Sequence, residues 1–350
     1  MRRISVVCLG LLLSAISLDA QWLKLPTPGL PRLPDGKPHY AAPAPRTPDG
    51  RPDLSGIWRN DAGDRYSNNI AADLGPGEVA PWADAIYQKR RLEFGKDSME
   101  TRCLPLGPVL TTTRYRMNRI VQTPDVVAML YEDLTHRTIF MDGRTLEPDP
   151  NPTWMGYSVG RWEGDVLVVE SNGFTDRSWL DFDGHPHTEE LRITERYTRR
   201  NVGQIDAQIT FTDPKVFTKP VTVSIPMKLM ADTEILESVC ENNAKSLQRM
   251  SATKAAKPVY VPVATLAKYV GVYDIVDEMT LDKGVVEISL AGTTLMFDYN
   301  GKGKESLVAL SPTRFSWSGA IVEFSTLAGG GMKVVMQYAE GSEGGPRRVK

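Results

Sequence analysis

Residues 191–212 read LRITERYTRRNVGQIDAQITFT, and this stretch decides the fold class. Apolar and polar residues alternate along 191–199 and again along 204–212, as they do in strands that bury one face of a sheet. The short segment between the two runs contains a glycine, which suits a hairpin turn. The stretch therefore predicts two antiparallel β-strands, with Leu191, Ile193 and Tyr197 on the buried face.

Similar alternation on both sides of this hairpin predicts further strands. A helix is expected from Pro81 to Gly95, because proline favours the first turn of a helix. The other predicted strands of this region are 119–123, 126–131, 135–141, 157–162, 165–171, 221–227 and 235–240. Many short strands joined by short turns are typical of barrels and sandwiches. We predict a mostly β protein, with a lipocalin-like antiparallel barrel, one decorating helix and a second small β-barrel.

The first twenty residues resemble a signal peptide. Arg2 and Arg3 precede an apolar run of about 15 residues, and Ala20 supplies a small residue at the cleavage position. A run of this length is too short to span a bilayer. The sequence thus predicts cleavage near Ala20 and a periplasmic or secreted mature protein.

The rest of the chain divides into four predicted segments by composition. A proline-rich stretch with two near-repeats reads as turns in an extended arm. Two strand-rich regions follow, separated by a linker rich in Asn, Lys, Ala and Ser. The segments are the arm 21–52, the lipocalin-like barrel domain 53–245, the linker 246–262 and the small β-barrel domain 263–350.

Charge and hydropathy narrow the expected partners. The formal net charge is −2, and no strongly basic patch favours nucleic acid. No segment after the signal peptide is apolar enough to insert into a membrane. A small-molecule ligand is the expected partner, and the proline-rich arm is an alternative site for a protein partner.

Cysteine usage agrees with export. Cleavage of the signal peptide removes Cys8 and leaves Cys103 and Cys240. An even pair in an oxidising compartment predicts a disulfide. A redox or metal role for two such distant cysteines is the alternative.

Several segments resemble, in order, a family of exported bacterial proteins of unknown function. They are TPDGRPDLSGIW (47–58), IVQTP (120–124), WMGYSVGRWEGD (154–165), LRITERY (191–197) and CEN (240–242). The resemblance covers about residues 46–245 and implies export, without an activity or site residues. Residues 265–350 resemble the small β-barrel appended to some secreted serine hydrolases of the penicillin-recognising type, whose catalytic domain is absent here.

The loop DFDGHPHTEE (181–190) is a candidate site because acidic and imidazole groups recur at every second position. A His-x-His pair beside carboxylates is a frequent ligand set for zinc, iron or manganese. The predicted metal ligands are His185, His187, Asp183 and Glu190. Two alternatives are a solvated acidic loop with two exposed histidines and a metal-free role, in which a histidine acts as a general base or binds a ligand. No cofactor is predicted apart from this divalent metal.

Glu195 lies on the apolar face of its strand. A carboxylate among apolar neighbours must be paired or must titrate with a raised pKa. A tight turn at 200–202 would place Glu195 opposite Ala207, which leaves space beside the carboxyl group. We predict Glu195 and His187 as catalytic groups; the alternative for Glu195 is a structural ion pair with an inward arginine such as Arg161.

Aromatic residues crowd the region around the 157–171 hairpin. Rings at a barrel mouth suit sugars, aromatic compounds and other flat ligands, and core filling is the alternative. The predicted ligand-binding residues are Trp154, Tyr157, Arg161, Trp179 and His136.

Three functions are compatible with these features. The leading hypothesis is an exported ligand-binding barrel, which could also be an acid/base enzyme on a small organic or sugar substrate. The sequence leaves open whether it is an enzyme; if it is, it would be a hydrolase, lyase or isomerase. The alternatives are a metal-dependent enzyme that uses the His-x-His loop and a non-catalytic envelope scaffold.

Overall fold

A computed structural model describes residues 25–62, 65–93, 95–240, 258–277, 283–301, 303–317, 320–327, 329–337 and 342–346. The predicted signal peptide and most of the predicted linker lie outside these residues. Within the described ranges, no helix combines the length and hydropathy required to cross a bilayer.

The first structural unit is a closed barrel of nine strands, neighbours in space following their order in the chain. The strands are β1 Gly56–Asn60, β2 Met117–Gln122, β3 Val126–Tyr131, β4 His136–Phe140, β5 Tyr157–Glu163, β6 Val166–Asn172, β7 Arg192–Asn201, β8 Gln204–Thr212 and β9 Val221–Leu229. β1 closes the barrel against β9, with Trp58 opposite Leu229. The predicted β fold class is confirmed.

One pair of barrel strands departs from the predicted antiparallel pattern. β4 and β5 run parallel, and residues 141–156 form the connection between them. Parallel neighbours need such a long crossover because the chain must return to the same end of the sheet. The structure also corrects the prediction for 235–240, which form no strand. The barrel is closed by β1, which pairs with β2 and β9, two strands that lie far from it in the sequence.

Short helices cover the barrel. They are α1 Arg65–Asn68, α2 Pro81–Leu92 and α3 Pro108–Thr113, and α2 is the predicted helix, ending before Gly95. All six residues of α3 are buried. Its threonine hydroxyls donate to carbonyls of the preceding turn, which satisfies these polar groups without water. Asn60, at the end of β1, donates to the Thr113 carbonyl and fixes α3 at this end of the barrel.

The predicted extended arm is folded onto the barrel by two similar turns. In each turn an arginine donates to a glycine carbonyl and to a barrel carboxylate at the same time. Arg32 pairs with Asp232, and Arg46 pairs with Asp165. These two basic side chains of the arm therefore form ion pairs with carboxylates of the barrel unit.

The second unit contains helix α4 Val263–Leu266 and nine antiparallel strands. The strands are β10 Gly271–Asp277, β11 Lys283–Ala291, β12 Thr294–Tyr299, β13 Lys304–Ser306, β14 Val308–Ala309, β15 Arg314–Trp317, β16 Ala320–Thr326, β17 Met332–Gln337 and β18 Ser342–Pro346. The two edge strands, β13 and β14, are joined through Leu307 alone, so the sheet curls around its own apolar core. Tyr273, Phe297 and Phe324 lie in that core.

The two units meet at α2. Arg91 on α2 donates to the Ser306 carbonyl at 3.2 Å and also faces Asp183 at 3.4 Å. Beside it, Glu305 on β13 accepts a hydrogen bond from the Trp317 indole at 3.1 Å. Burial, together with the Asp183 charge, raises the pKa of Glu305 to about 7, and Arg91 opposes this shift.

Cys103 and Cys240 form a disulfide, with Cα atoms 5.5 Å apart. The predicted bond is thus confirmed. It connects the segment after β9 to the turn before α3, across 137 positions of sequence.

Candidate ligand-binding cleft

A cleft opens on the barrel wall where β4 and β5 diverge. Their parallel ladder contains two residue pairs, Ile139 with Ser158 and Phe140 with Val159. On the N-terminal side of these pairs, residues 136–138 and 153–157 separate and leave a cavity of about 350 Å³. Small-molecule pockets fall in the range of roughly 300–1,000 Å³. The cavity is therefore large enough for a compact organic ligand.

The walls of the cleft are rich in aromatic side chains. His136, Thr138 and Phe140 alternate along β4 with residues that face the barrel interior, so they point outward into the cleft. The rings of Phe140 and Tyr157 lie 5.5 Å apart, and Trp154 lines the same cavity.

Gly156 gives the chain its course along one wall. Its φ is +69°, and a Cβ there would lie 2.2 Å from the Phe174 ring. Only glycine adopts this conformation without strain and without displacing the ring. This bend allows both Trp154 and Tyr157 to line the cleft.

The rim carries a fixed guanidinium group. Arg144 lies 3.9 Å above the Phe140 ring and donates to the Tyr157 hydroxyl at 3.4 Å. Asp142 holds it through both carboxylate oxygens, at 2.8 and 3.0 Å from Nε. Arg144 thus covers one side of the opening while its charge is balanced.

The floor of the cleft is a buried charge network. Arg137 donates from Nη1 to Glu195 at 2.9 Å and from Nη2 to the other oxygen of that carboxylate. Its Nε donates to the Ser158 hydroxyl at 3.0 Å, and Nη2 also donates to Ser171 at 2.6 Å. The Tyr197 hydroxyl donates to Glu195 at 2.7 Å. Every member has its partner inside the barrel.

The charges and the burial of this network keep both Arg137 and Tyr197 protonated. Burial by itself would lower the pKa of Arg137, but the adjacent Glu195 carboxylate outweighs it and the net shift is upward. Burial raises the pKa of Tyr197 well above its usual value, and the Glu195 charge adds to the shift. Tyr197 consequently remains a hydrogen-bond donor throughout the physiological pH range.

Glu195 is buried and paired, as the ion-pair alternative required, but its partner is Arg137 and not Arg161. Arg161 lies on the barrel surface and pairs with Glu163 and Glu170. The predicted neighbour of Glu195 is also wrong. Glu195 lies opposite Ile209, and Ala207 lies opposite Tyr197, two residues further along β7. A catalytic role for Glu195 stays a prediction.

His185 lies in a loop and is buried, with an exposed fraction of 2 %. Its Nδ1 bonds to Asp181, and its ring stacks on Tyr87 at 3.8 Å. Asp181 also accepts the backbone N–H groups of Gly184 and His185. The alternative of a solvated loop with two exposed histidines is therefore wrong, because His185 and His187 are both buried.

His187 is likewise buried and bonds to groups of its own loop. Nδ1 lies 3.0 Å from the Thr188 carbonyl, which only accepts, so we assign the proton to Nδ1. Nε2 then accepts from the Ser178 hydroxyl at 2.8 Å. Burial lowers the pKa of His187, which favours the neutral ring. His187 lies outside the cleft lining, and its predicted catalytic role stays a prediction.

The four predicted metal ligands contact different partners. Asp183 accepts from Tyr87 at 3.2 Å, and the exposed Glu190 pairs with Lys215 at 2.7 Å. In the part of the chain that the structure describes, no group of three or more His, Cys, Asp or Glu side chains is arranged to hold a metal. The metal site at His185, His187, Asp183 and Glu190 stays a prediction without geometric support.

Three of the five predicted ligand contacts come together in the cleft: His136, Trp154 and Tyr157. Trp179 is not among the lining residues. It is buried beneath Arg90 at 4.3 Å, in an apolar cluster against which Trp154 packs. Arg161 lies on the outer surface of β5. The cleft also contains residues that the sequence prediction missed, namely Arg137, Thr138, Phe140, Thr153, Met155, Gly156 and Ser158.

Ser158 stands within a Gly-x-Ser-x-Gly spacing, from Gly156 to Gly160. A nucleophile elbow requires a sharp turn between a strand and a helix. Here the serine lies inside β5 and its hydroxyl contacts Arg137 and Ser171. Ser158 is thus part of the floor network. Among the described residues, no histidine forms a hydrogen bond with its hydroxyl group.

No model of a protein family matches this chain, and a search of curated proteins finds no matching relative. The fold and the site define a nine-stranded β-barrel with a lateral aromatic cleft.

Proposed function

We propose that this chain is an exported protein that binds a small organic ligand in the cleft between β4 and β5. The carrying observation is the cavity of about 350 Å³ at the point where the only two parallel-paired strands of the described barrel diverge. Aromatic walls supply contact area, and hydroxyl groups and His136 supply polar contacts. Such a combination is typical of small-molecule sites.

The floor favours binding without large rearrangement. Arg137 is held by four hydrogen bonds to three side chains. A floor fixed in this way is already ordered before a ligand binds, so less of the interaction free energy is lost. Export is supported by the predicted signal peptide and is compatible with the disulfide between Cys103 and Cys240.

A cleft-filling variant tests this function. Thr138 lies on the outer face of β4 inside the cleft, so Thr138→Trp should fill the cavity. Thr198→Trp is a matched control, because Thr198 is a half-buried, outward-facing residue of β7. The mature protein, purified from the periplasm, would be screened by thermal shift and calorimetry against small aromatic compounds and sugars.

We expect compounds that stabilise the wild type and the Thr198→Trp variant to lose at least tenfold in affinity for Thr138→Trp. Denaturing extraction and mass spectrometry of the wild-type protein should identify any retained ligand, which the cleft variant should lack. Binding that survives in Thr138→Trp would refute the cleft as the site.

A further inference from the structure

We infer that the cleft selects a planar aromatic ligand that carries a carboxylate. The inference rests on the proposed function and specifies the chemical class of its ligand. Phe140, Trp154 and Tyr157 are the aromatic members of the lining. Aromatic side chains prefer offset or edge contacts with other rings, which favours a flat ligand between them.

The charge of the lining favours an anion. None of the described residues that line the cleft is Asp or Glu, whereas His136 and Arg137 both belong to the lining. The carboxylate that balances Arg137 belongs to Glu195, on the inward face of β7 and outside the lining. Arg137 is buried and its charge is balanced by Glu195. The described lining contains no carboxylate and includes the exposed imidazole of His136, and this combination favours an anionic ligand.

Guanidinium groups also lie over two of the wall rings. Arg144 covers Phe140, and Arg177 lies 5.1 Å from the centre of the Trp154 ring. Asp142 balances the charge of Arg144. Arg177 is exposed, and among the described residues no carboxylate lies within ion-pair distance of it.

Arg177 is accordingly the group we assign to the ligand carboxylate. Arg177 lies outside the lining but contacts Trp154, which belongs to it, so the carboxylate of a ligand that contacts the cleft side of Trp154 would lie near this guanidinium. Arginine pairs with carboxylates through two parallel N–H···O bonds, which adds directional selectivity to the charge.

A neutral sugar fits the same cavity less well. Its many hydroxyl donors need acceptors, and an ionised carboxylate is the side chain that only accepts. Apart from the buried Arg137, the polar side chains of the described lining are hydroxyl groups and one imidazole, without a carboxylate or a side-chain amide. Sugars serve as the competing class in the test.

The test compares two ligands of nearly equal shape that differ in charge. 4-Hydroxybenzoate and 4-hydroxybenzamide would be titrated by calorimetry into the full mature chain at low ionic strength, with glucose as the neutral sugar. We expect the acid to bind at least tenfold more tightly than the amide. The difference should shrink when salt is raised, because exposed charges are screened.

Two arginine variants locate the charge. Arg177→Gln should reduce the advantage of the acid over the amide to less than threefold while the affinity for the amide stays unchanged. Arg161→Gln is the matched control, since Arg161 is an exposed arginine on β5 that pairs with Glu163 and Glu170. It should leave both affinities as they are in the wild type.

The outcomes separate this inference from the proposed function. Equal affinities for acid and amide, both lost in Thr138→Trp, overturn the charge selectivity and leave ligand binding intact. A preference for glucose overturns the aromatic class of the ligand and likewise leaves ligand binding in the cleft intact. If no probe binds, the inference is wrong, and the proposed function then depends on whether the extracted wild-type protein contains a cleft ligand.

Discussion

Removing one partner of the Arg137–Glu195 pair should destabilise the barrel strongly, and removing both should cost less. Glu195→Leu leaves the Arg137 guanidinium buried with only hydroxyl partners. Arg137→Met leaves the Glu195 carboxylate with only the Tyr197 hydroxyl. Each single variant therefore creates an uncompensated charge in the interior, which is the costly event.

The magnitude follows from burial. Both side chains are almost fully buried, with exposed fractions of 1 % and 2 %. Breaking such a pair typically costs about 3–5 kcal/mol. For a unit of this size, 1 kcal/mol shifts Tm by roughly 2–4 °C, so each single variant should lose about 6–20 °C. In the double variant, Ser158 and Ser171 still bond to each other at 2.9 Å, and mainly the Tyr197 hydroxyl lacks its acceptor. That single orphaned group costs about 1–3 kcal/mol.

The assay is a double-mutant cycle by urea unfolding, monitored by tryptophan fluorescence and circular dichroism. The coupling energy should be large, since residues in one network are not additive. Arg161→Met with Glu170→Leu is the control cycle on an exposed pair, where little coupling is expected. If the Arg137 and Glu195 losses simply add, or if Glu195→Leu stabilises the protein, the ion pair does not hold the barrel together and the carboxyl group is retained for another purpose.

Three further predictions concern other parts of the molecule. Cys103→Ser combined with Cys240→Ser should lower the free energy of unfolding by about 4–5 kcal/mol through loss of a long closed loop, measured by denaturant unfolding; an unchanged midpoint would contradict this. Arg46→Gln should release the arm and speed its cleavage by protease with little change in Tm, because the ion pair that it removes is exposed; an unchanged cleavage rate would refute the clamping role. Since the pKa of Glu305 is raised from 4.5 to about 7, its contribution to stability is complete below pH 4.5, falls as the pH rises, and is lost once the pH passes about 7. Glu305→Gln should flatten Tm between pH 4.5 and 8, and a pH dependence equal to that of the wild type would show that Glu305 is not the titrating group.

The sequence predicts the barrel strands well because each buries one face. Alternation along β7 and β8 places the strands within two residues of their observed bounds. It does not fix their register. Turn geometry does so, and here the pairing shifts between Arg199 and Asn201, which moves Glu195 opposite Ile209.

The partner of Glu195 was partly accessible from the sequence. Arg137 and Ile139 have the same parity on β4, so a strand that buries Ile139 also buries Arg137. The missing information is which strands face one another across the barrel. Strand order in a closed barrel depends on the whole chain, and local periodicity contains no information about it.

The cleft was not predicted because it depends on the parallel pairing of β4 and β5. The long segment 141–156 was a signal, since antiparallel neighbours need only a short turn whereas parallel neighbours need a crossover. The sequence predicts His136, Trp154 and Tyr157 as ligand contacts from their chemistry. The crossover is what brings them together in space, at the place where the ladder ends.

The same network that stabilises the barrel also explains how the cleft can exist. β4 and β5 share only two ladder pairs, so few backbone hydrogen bonds hold the wall together there. Arg137 on β4 supplies side-chain bonds instead, to Ser158 on β5, Ser171 on β6 and Glu195 on β7. Four neighbouring strands are thus connected across the gap by one guanidinium group, which leaves the outer side of the gap open. Stability and ligand affinity should consequently fall together in Arg137 variants, whereas Thr138→Trp should lower the affinity at least tenfold and leave the barrel folded.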